Sequence, residues 1–343
     1  MPTLYLTTPG TRAHLTRQHL EVEFPEKPAD SAPASPISAS TVLRRIALHD
    51  IEQVVVETTT ALTLAALAAF AERKIPVVIV RPNGQAVALC LPPAPDLPTR
   101  LAHYQSRLTA GFSLAIARSL VEAKIANSRR LLQRLASNRE QPAPTAVHRL
   151  ENHRTASLTA TSVESCRGYE GTSAGTYFEA LATFFPASTP FERRSRRPPH
   201  NPANALLSFG YSLLTHETTT ALHAAGLDPA LGYLHEPETG RPSLALDLIE
   251  PFRAPVADGL ALDLLNHGTL QPQTHFEPRE GGIYLNQEGR RRFYTGYERR
   301  MDRPFTSDLT GERTTLRDEI RRQLYSLKRL LLQQGAFEPF IMN

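Results

Sequence analysis

Three short segments hold acids or an imidazole in positions that could do chemistry. Glu170 lies in Arg167-Gly168-Tyr169-Glu170-Gly171, and Ala174, Tyr177 and Phe178 follow it at i+4, i+7 and i+8. That spacing puts Glu170 on the apolar, inward face of a helix. A carboxylate there is costly unless it is paired or bound to a cation. His235 lies in Gly232-Tyr233-Leu234-His235-Glu236-Pro237, a Gly/Pro-bounded loop after a long helix; neutral imidazole is a common metal ligand. Asp247 and Glu250 are three residues apart in a largely apolar stretch, one helical turn from each other, and Arg253 is one further turn on. Pro251 is tolerated there if it sits in a first helical turn. Two carboxylates at that distance repel and need a cation or a shared proton.

Each segment also has a plainer reading. Glu170 can be a first-turn acid placed by the helix dipole, His235 a polar surface group, and Glu250 the ion-pair partner of Arg253. Taken together they form a mixed oxygen and nitrogen donor set. Such a set suits Mg²⁺ or Mn²⁺ and lacks the thiolates of structural zinc sites. No phosphate-binding G-x-x-x-x-G-K-[ST] loop, G-x-S-x-G elbow or H-E-x-x-H pair occurs.

The elements that must position these groups fall into two parts. Up to about residue 91 the pattern reads as strands: Leu4 and Leu6, then Leu20, Val22 and Phe24, then Val42–Leu48, Val54–Val56, Ile75–Val80 and Gln85–Leu91. Thr58–Lys74 reads as one helix, and Asn83-Gly84 as a two-residue hairpin turn. Residues 25–40, rich in Pro, Ser and Ala, read as a surface loop. Pro92, Pro93, Pro95 and Pro98 make 92–98 a stiff linker. Beyond it the period is helical: Leu114, Ala117, Val121, Ile125, Leu132 and Leu135 share a face, and further helices are expected near 144–165, 170–185, 202–226, 245–265 and 313–334. The expected fold is therefore α+β in two domains, a small β-rich domain at 1–91 followed by a larger all-α domain at 99–343.

Length and composition agree. A chain of 343 residues predicts about two domains at roughly 150 residues each. Its longest near-apolar stretch, Ala61–Phe70, is far short of the ~20 residues that span a bilayer. No membrane association is expected, and without a secretory pattern at the start the expected location is the cytoplasm. Only Cys90 and Cys166 occur, which excludes a disulfide scaffold. Of 38 basic residues only Lys27, Lys74, Lys124 and Lys328 are lysine. Arginine's planar fork binds phosphate bidentately, although a G/C-rich genome favours arginine too. Residues 1–95 carry eight basic and eight acidic side chains, whereas residues 96–343 carry 30 basic and 26 acidic ones. A polyanion would therefore meet mainly the second part. Arg193, Arg194, Arg196 and Arg197 form one basic cluster there, and Arg290, Arg291, Arg292, Arg299, Arg300 and Arg303 another. Both are candidate phosphate contacts, DNA-binding if the polyanion is DNA, the plainer alternative being a solvated face.

Several ordered motifs resemble one family. Val121-Glu122-Ala123-Lys124-Ile125-Ala126-Asn127 is similar to its first helical signature, and Arg167–Ala174 to its glutamate motif. The run from Arg197-Pro198-Pro199 through Asn201, Pro202 and Asn204 to Tyr211 resembles its helix entry. Gly226-Leu227-Asp228-Pro229, Gly232–His235 and Leu246–Arg253 complete the set. The family is the CRISPR-associated protein one family, the integrase that inserts new spacers into CRISPR arrays. The resemblance implies metal ligands at Glu170, His235 and Glu250, a further acid beside the metal at Asp247 and a basic group at Arg253. It also implies Mg²⁺ or Mn²⁺, double-stranded and branched DNA as substrates, and a homodimer formed through the N-terminal part. Two such dimers would flank a dimer of the CRISPR-associated protein two family. The reaction it implies is attack of a DNA 3′-hydroxyl on a phosphodiester. Two rival readings are a related integrase of a mobile element and a non-catalytic DNA-binding scaffold.

Overall fold

The computed structural model describes residues 3–25, 42–91, 96–139 and 143–343. All of the proline-rich 25–40 loop after Pro25, and most of the 92–98 linker, lie outside the described residues. The chain divides into two compact units, Met1–Ala94 and Pro95–Asn343.

The first unit holds two four-stranded sheets. Strands β1 (Thr3–Leu6), β5 (Gln53–Glu57) and β7 (Val77–Val80) run parallel, and β8 (Ala86–Cys90) closes the sheet antiparallel to β7. The second sheet has the order β4 (Val42–Ala47), β3 (His19–Phe24), β2 (Arg12–Thr16), β6 (Ala61–Leu62). Leu6, Leu20, Val22, Val54, Val56 and Val77 fill a common core with Phe70 of helix α1 (Leu64–Glu72). Two expectations change here. Thr58–Thr63 is not helical: Ala61 and Thr63 donate their backbone N–H groups to Thr11 and Ala13, so these residues extend the sheet. Thr63 then caps α1, accepting from the Ala66 N–H at 3.3 Å. At the hairpin only Gly84 takes a positive φ, at 80°, and its N–H donates to Arg81 O. This is a turn opened by Pro82 and closed by a left-handed glycine, rather than a two-residue loop with both positions left-handed.

The second unit is helical, with two short antiparallel ribbons added. Helix α2 (Leu97–Leu108) begins with Pro98 in its first turn, where the missing N–H costs nothing. Then come α3 (Phe112–Arg139), α4 (Pro144–Ser157), α5 (Val163–Ala182) and α6 (Pro202–Ala224). The 144–165 stretch is two helices, because Ser162 caps a new one. Further on lie α7 (Ser243–Ile249), α8 (Gly259–Asn266), α9 (Pro272–His275), the ribbon β9 (Phe276–Arg279) with β10 (Gly282–Leu285), α10 (Gln287–Met301), the ribbon β11 (Phe305–Thr306) with β12 (Arg313–Thr314), and α11 (Leu316–Leu331). The expected helix over 245–265 is interrupted by a 3₁₀ turn at Glu250–Phe252 and a π-helical segment at Arg253–Asp258. Two prolines four residues apart explain it. Pro251 has no N–H to return to Asp247, and Pro255 has none to offer Pro251. The freed Pro251 carbonyl accepts instead from buried Asn127 Nδ2 of α3, at 2.7 Å. That bond ties the turn carrying Glu250 to the helix carrying Lys124.

Candidate active site

Three helical elements converge on one pair of acids. Glu170 is eight residues into α5, so it is a mid-helix residue and not a first-turn acid. Glu250 stands at the 3₁₀ turn after α7, and its side chain is 3% exposed. Lys124, on α3, lies between them: its Nζ is 2.6 Å from Glu250 Oε2 and also pairs with Glu170 Oε1. Arg253 Nε donates to the other Glu250 oxygen at 3.0 Å. The guanidinium of Arg253 also stacks over the Tyr211 ring, 4.5 Å from its centroid. Burial alone would push the Glu250 carboxyl up. Arg253, Lys124 and the His235 imidazole outweigh it and hold the group down at about 2.

Asp247 has no exposed surface. It accepts backbone N–H bonds from Tyr233 at 2.5 Å, Leu234 at 2.9 Å and His235 at 2.8 Å, and it meets His235 Nδ1 at 2.7 Å. One carboxylate thus folds the 233–235 loop and orients the imidazole. With Nδ1–H donating to Asp247, the Nε2 lone pair is the one left for a ligand. Gly232 is required at the foot of this loop, since a Cβ there would lie 2.7 Å from His235 O and 2.9 Å from Asp247 Oδ2. Asp247 and Glu250 therefore do not share a cation, as their spacing alone suggested; each has its own partners.

Tyr211 on α6 is a residue that sequence reasoning used only as a motif end. Its hydroxyl donates to buried Asp258 at 2.5 Å, as does that of Tyr177 at 2.8 Å. Burial pushes both phenols well up, and the nearby Asp258 charge adds to it. Arg194 lies on Tyr211 too, 5.4 Å from the ring centroid.

The donors fit a divalent cation by chemistry: two carboxylates and an imidazole, with Glu250 Oε2 buried and held by the Lys124 ammonium. A positive group already stands between the two carboxylates. Among the described residues, however, no three His, Cys, Asp or Glu side chains stand close enough together to enclose a metal ion. Glu170 and Glu250 pair instead with the Lys124 ammonium.

The arginine clusters separate into two kinds. Arg193, Arg196 and Arg197 are exposed, while Arg194 donates to Ser195 O at 2.5 Å, Asn204 Oδ1 at 2.8 Å and Ser208 Oγ at 2.9 Å. On α10, Arg291 and Arg292 are both paired with Glu288. Arg290 is buried, and Arg300 is bound to Pro255 O and Asp263. Arg299 and Arg303 are exposed, and they line a cleft of about 480 Å³ with Arg134 and Arg300.

The family model for "CRISPR associated protein Cas1" matches residues 4–299. The chain belongs to the Cas1 family. It is 36% identical over 304 residues to CRISPR-associated endonuclease Cas1 3 of Thermus thermophilus, covering 88% of this chain and 89% of that protein. A solved casposase bound to integration product superposes with a TM-score of 0.84 over 100% of this chain and 96% of that one; at 24% identity that likeness shows the fold alone. A chain of a solved Cas6-RT-Cas1–Cas2 complex matches at 26% identity and a TM-score of 0.80, covering all of this chain and 36% of that one.

Proposed function

We propose that this Cas1 family member is a metal-dependent DNA endonuclease and integrase, which inserts new spacers into a CRISPR array by 3′-hydroxyl attack on a phosphodiester. The observation that carries the reading is the meeting of Glu170 and Glu250 around one positive charge, although they are 80 residues apart. Glu170, His235 and Glu250 would hold a Mg²⁺ or Mn²⁺ ion, which would activate the attacking oxygen and stabilise the leaving one. Arg253 is fixed by Glu250 and by the Tyr211 face, so its remaining N–H groups carry a preorganised charge for the phosphate. Asp247 keeps the His235 ring in one tautomer and orientation. No protein nucleophile is needed, and the same centre using water would cut branched DNA.

Partners follow from the same reading: double-stranded DNA, a second copy of the chain, and a protein of the Cas2 family, with which a structural relative is assembled. Arg193, Arg196, Arg197, Arg299 and Arg303 are the arginines we assign to phosphate contact. Self-association belongs to residues 1–91, because a region without net charge neither repels its copy nor attracts DNA strongly. No helix among the described residues is long and apolar enough to cross a membrane, and a reaction on a chromosomal array places the protein in the cytoplasm. The integrase of a mobile element would use the same residues; the 36% identity to a CRISPR-associated relative favours the array as target.

The test is strand transfer of a labelled duplex into a plasmid bearing a repeat, with Mn²⁺. Glu170→Ala protein should keep its fold and its dimer and lose joining altogether. Joining at the unsubstituted rate would refute the assignment.

A further inference from the structure

Lys124 takes no step in that reaction, yet its ammonium sits at the centre of the site. It pairs with both Glu170 and Glu250, and its side chain is only 14% exposed. Its stem leaves α3 between Val121 and Ile125, both buried, and one turn before Asn127, which holds the Glu250 turn through Pro251 O. The residue type is informative too. The chain uses lysine four times against 34 arginines, so a lysine here is a departure from its habit. An ammonium on a flexible stem is a compact charge that can swing away, whereas a planar guanidinium held by two carboxylates is not easily released.

We infer that Lys124 is a built-in counter-cation. Without metal it occupies the place between Glu170 and Glu250 and keeps the two carboxylates in register; a divalent cation binding there must displace it. The inference rests on the reading of Glu170 and Glu250 as metal ligands. Two cations that exclude each other from one place each weaken the other's binding. Lys124 is thus a positioning residue that sets how much free metal is needed to load the site. It also accounts for the meeting of both acids on one ammonium.

The experiment is a Mn²⁺ titration of the full-length protein followed by electron paramagnetic resonance, with the thermal midpoint of the metal-free protein as second readout. Lys124→Met should bind Mn²⁺ about tenfold more tightly, a coupling of ordinary size. It should also melt lower without metal, because two facing carboxylates lose their cation. Lys124→Arg should bind Mn²⁺ more weakly than the unsubstituted protein. Glu170→Ala should bind poorly whatever stands at 124. Unchanged or weaker binding by Lys124→Met, with Glu170→Ala still defective, would overturn the counter-cation role and leave the metal ligands standing. If Glu170→Ala binds Mn²⁺ normally, the metal reading itself falls and Lys124 is an ordinary ion-pair partner. Should Lys124→Met fail to fold, Lys124→Arg decides alone: equal or tighter binding refutes the inference.

Discussion

Asp247 and Glu250 are one turn apart and both buried, and their surroundings treat them in opposite ways. Asp247 faces three backbone N–H groups and the His235 imidazole. Glu250 faces charges: Lys124 on one oxygen and Arg253 on the other. A carboxylate spent on backbone donors shapes a loop and has no capacity left over. A carboxylate held by cations stays ionised, and one of those cations can be exchanged. Under the proposed function, the segment ending at Asp247 builds the site and the segment beginning at Glu250 works in it.

The sharpest way to break this comparison is to remove each acid in turn. Glu250→Ala leaves Lys124 and Arg253 without their buried partner, which costs roughly 3–5 kcal/mol, and it should abolish DNA joining. Asp247→Ala strips three backbone donors of their acceptor and should also destabilise the fold. Its joining rate, however, should fall only about 10–100-fold, as when an orienting partner is lost. Thermal melts paired with strand-transfer rates separate the two. Equal losses of activity would mean that Asp247 acts directly.

A smaller effect concerns the arginines. Arg193, Arg196 and Arg197 are exposed, while Arg291 and Arg292 are spent on Glu288. Neutralising the first three should reduce the salt slope of log K for duplex DNA by about 2.7, at roughly 0.9 per phosphate contact. Neutralising Arg291 and Arg292 should leave the slope as it was. The reverse result would move the DNA path to α10.

The smallest effect tests burial elsewhere in the helical unit. Burial holds the His216 imidazole down at about 4 from an ordinary 6.5. The unfolded chain then takes up a proton between those values and the folded one does not, so stability falls as pH drops from 6.5 towards 4. The contribution is about 3 kcal/mol at its limit. His216→Leu should flatten that slope in denaturant melts; an unaltered slope would mean that His216 is protonated in the native protein.

The sequence made much of this legible, and the exceptions have physical causes. Glu170, Asp247 and Glu250 stood out because carboxylates are costly in apolar stretches, His235 as an imidazole in a Gly/Pro-bounded loop, and Arg253 by its one-turn spacing from Glu250. The strand period of Leu20, Val22 and Phe24 and the helical period of Val121 to Leu132 marked the two parts. The strand β2 was not legible because Arg12-Ala13-His14-Leu15-Thr16 has little apolar contrast and is held by its pairing with β3 and β6. Thr58–Thr63 lacked any local sign that Thr11 and Ala13 would supply acceptors. The break at Glu250–Asp258 was readable from Pro251 and Pro255, had their four-residue spacing been weighed. Lys124 could not be placed at all: its motif was visible, but only the fold brings α3 between α5 and the Glu250 turn. The split among the arginines depends likewise on tertiary partners such as Asn204 and Asp263, whereas the pairing of Arg291 and Arg292 with Glu288 is local to one helix.

Anomalous scattering from crystals soaked in Mn²⁺ would show whether Glu170, His235 and Glu250 hold one metal ion from which Lys124 withdraws. The expected result is one manganese peak beside the carboxylates of Glu170 and Glu250 and His235 Nε2, with the Lys124 ammonium moved off both acids. A peak elsewhere, or an ammonium still bridging Glu170 and Glu250 at saturating Mn²⁺, would contradict it.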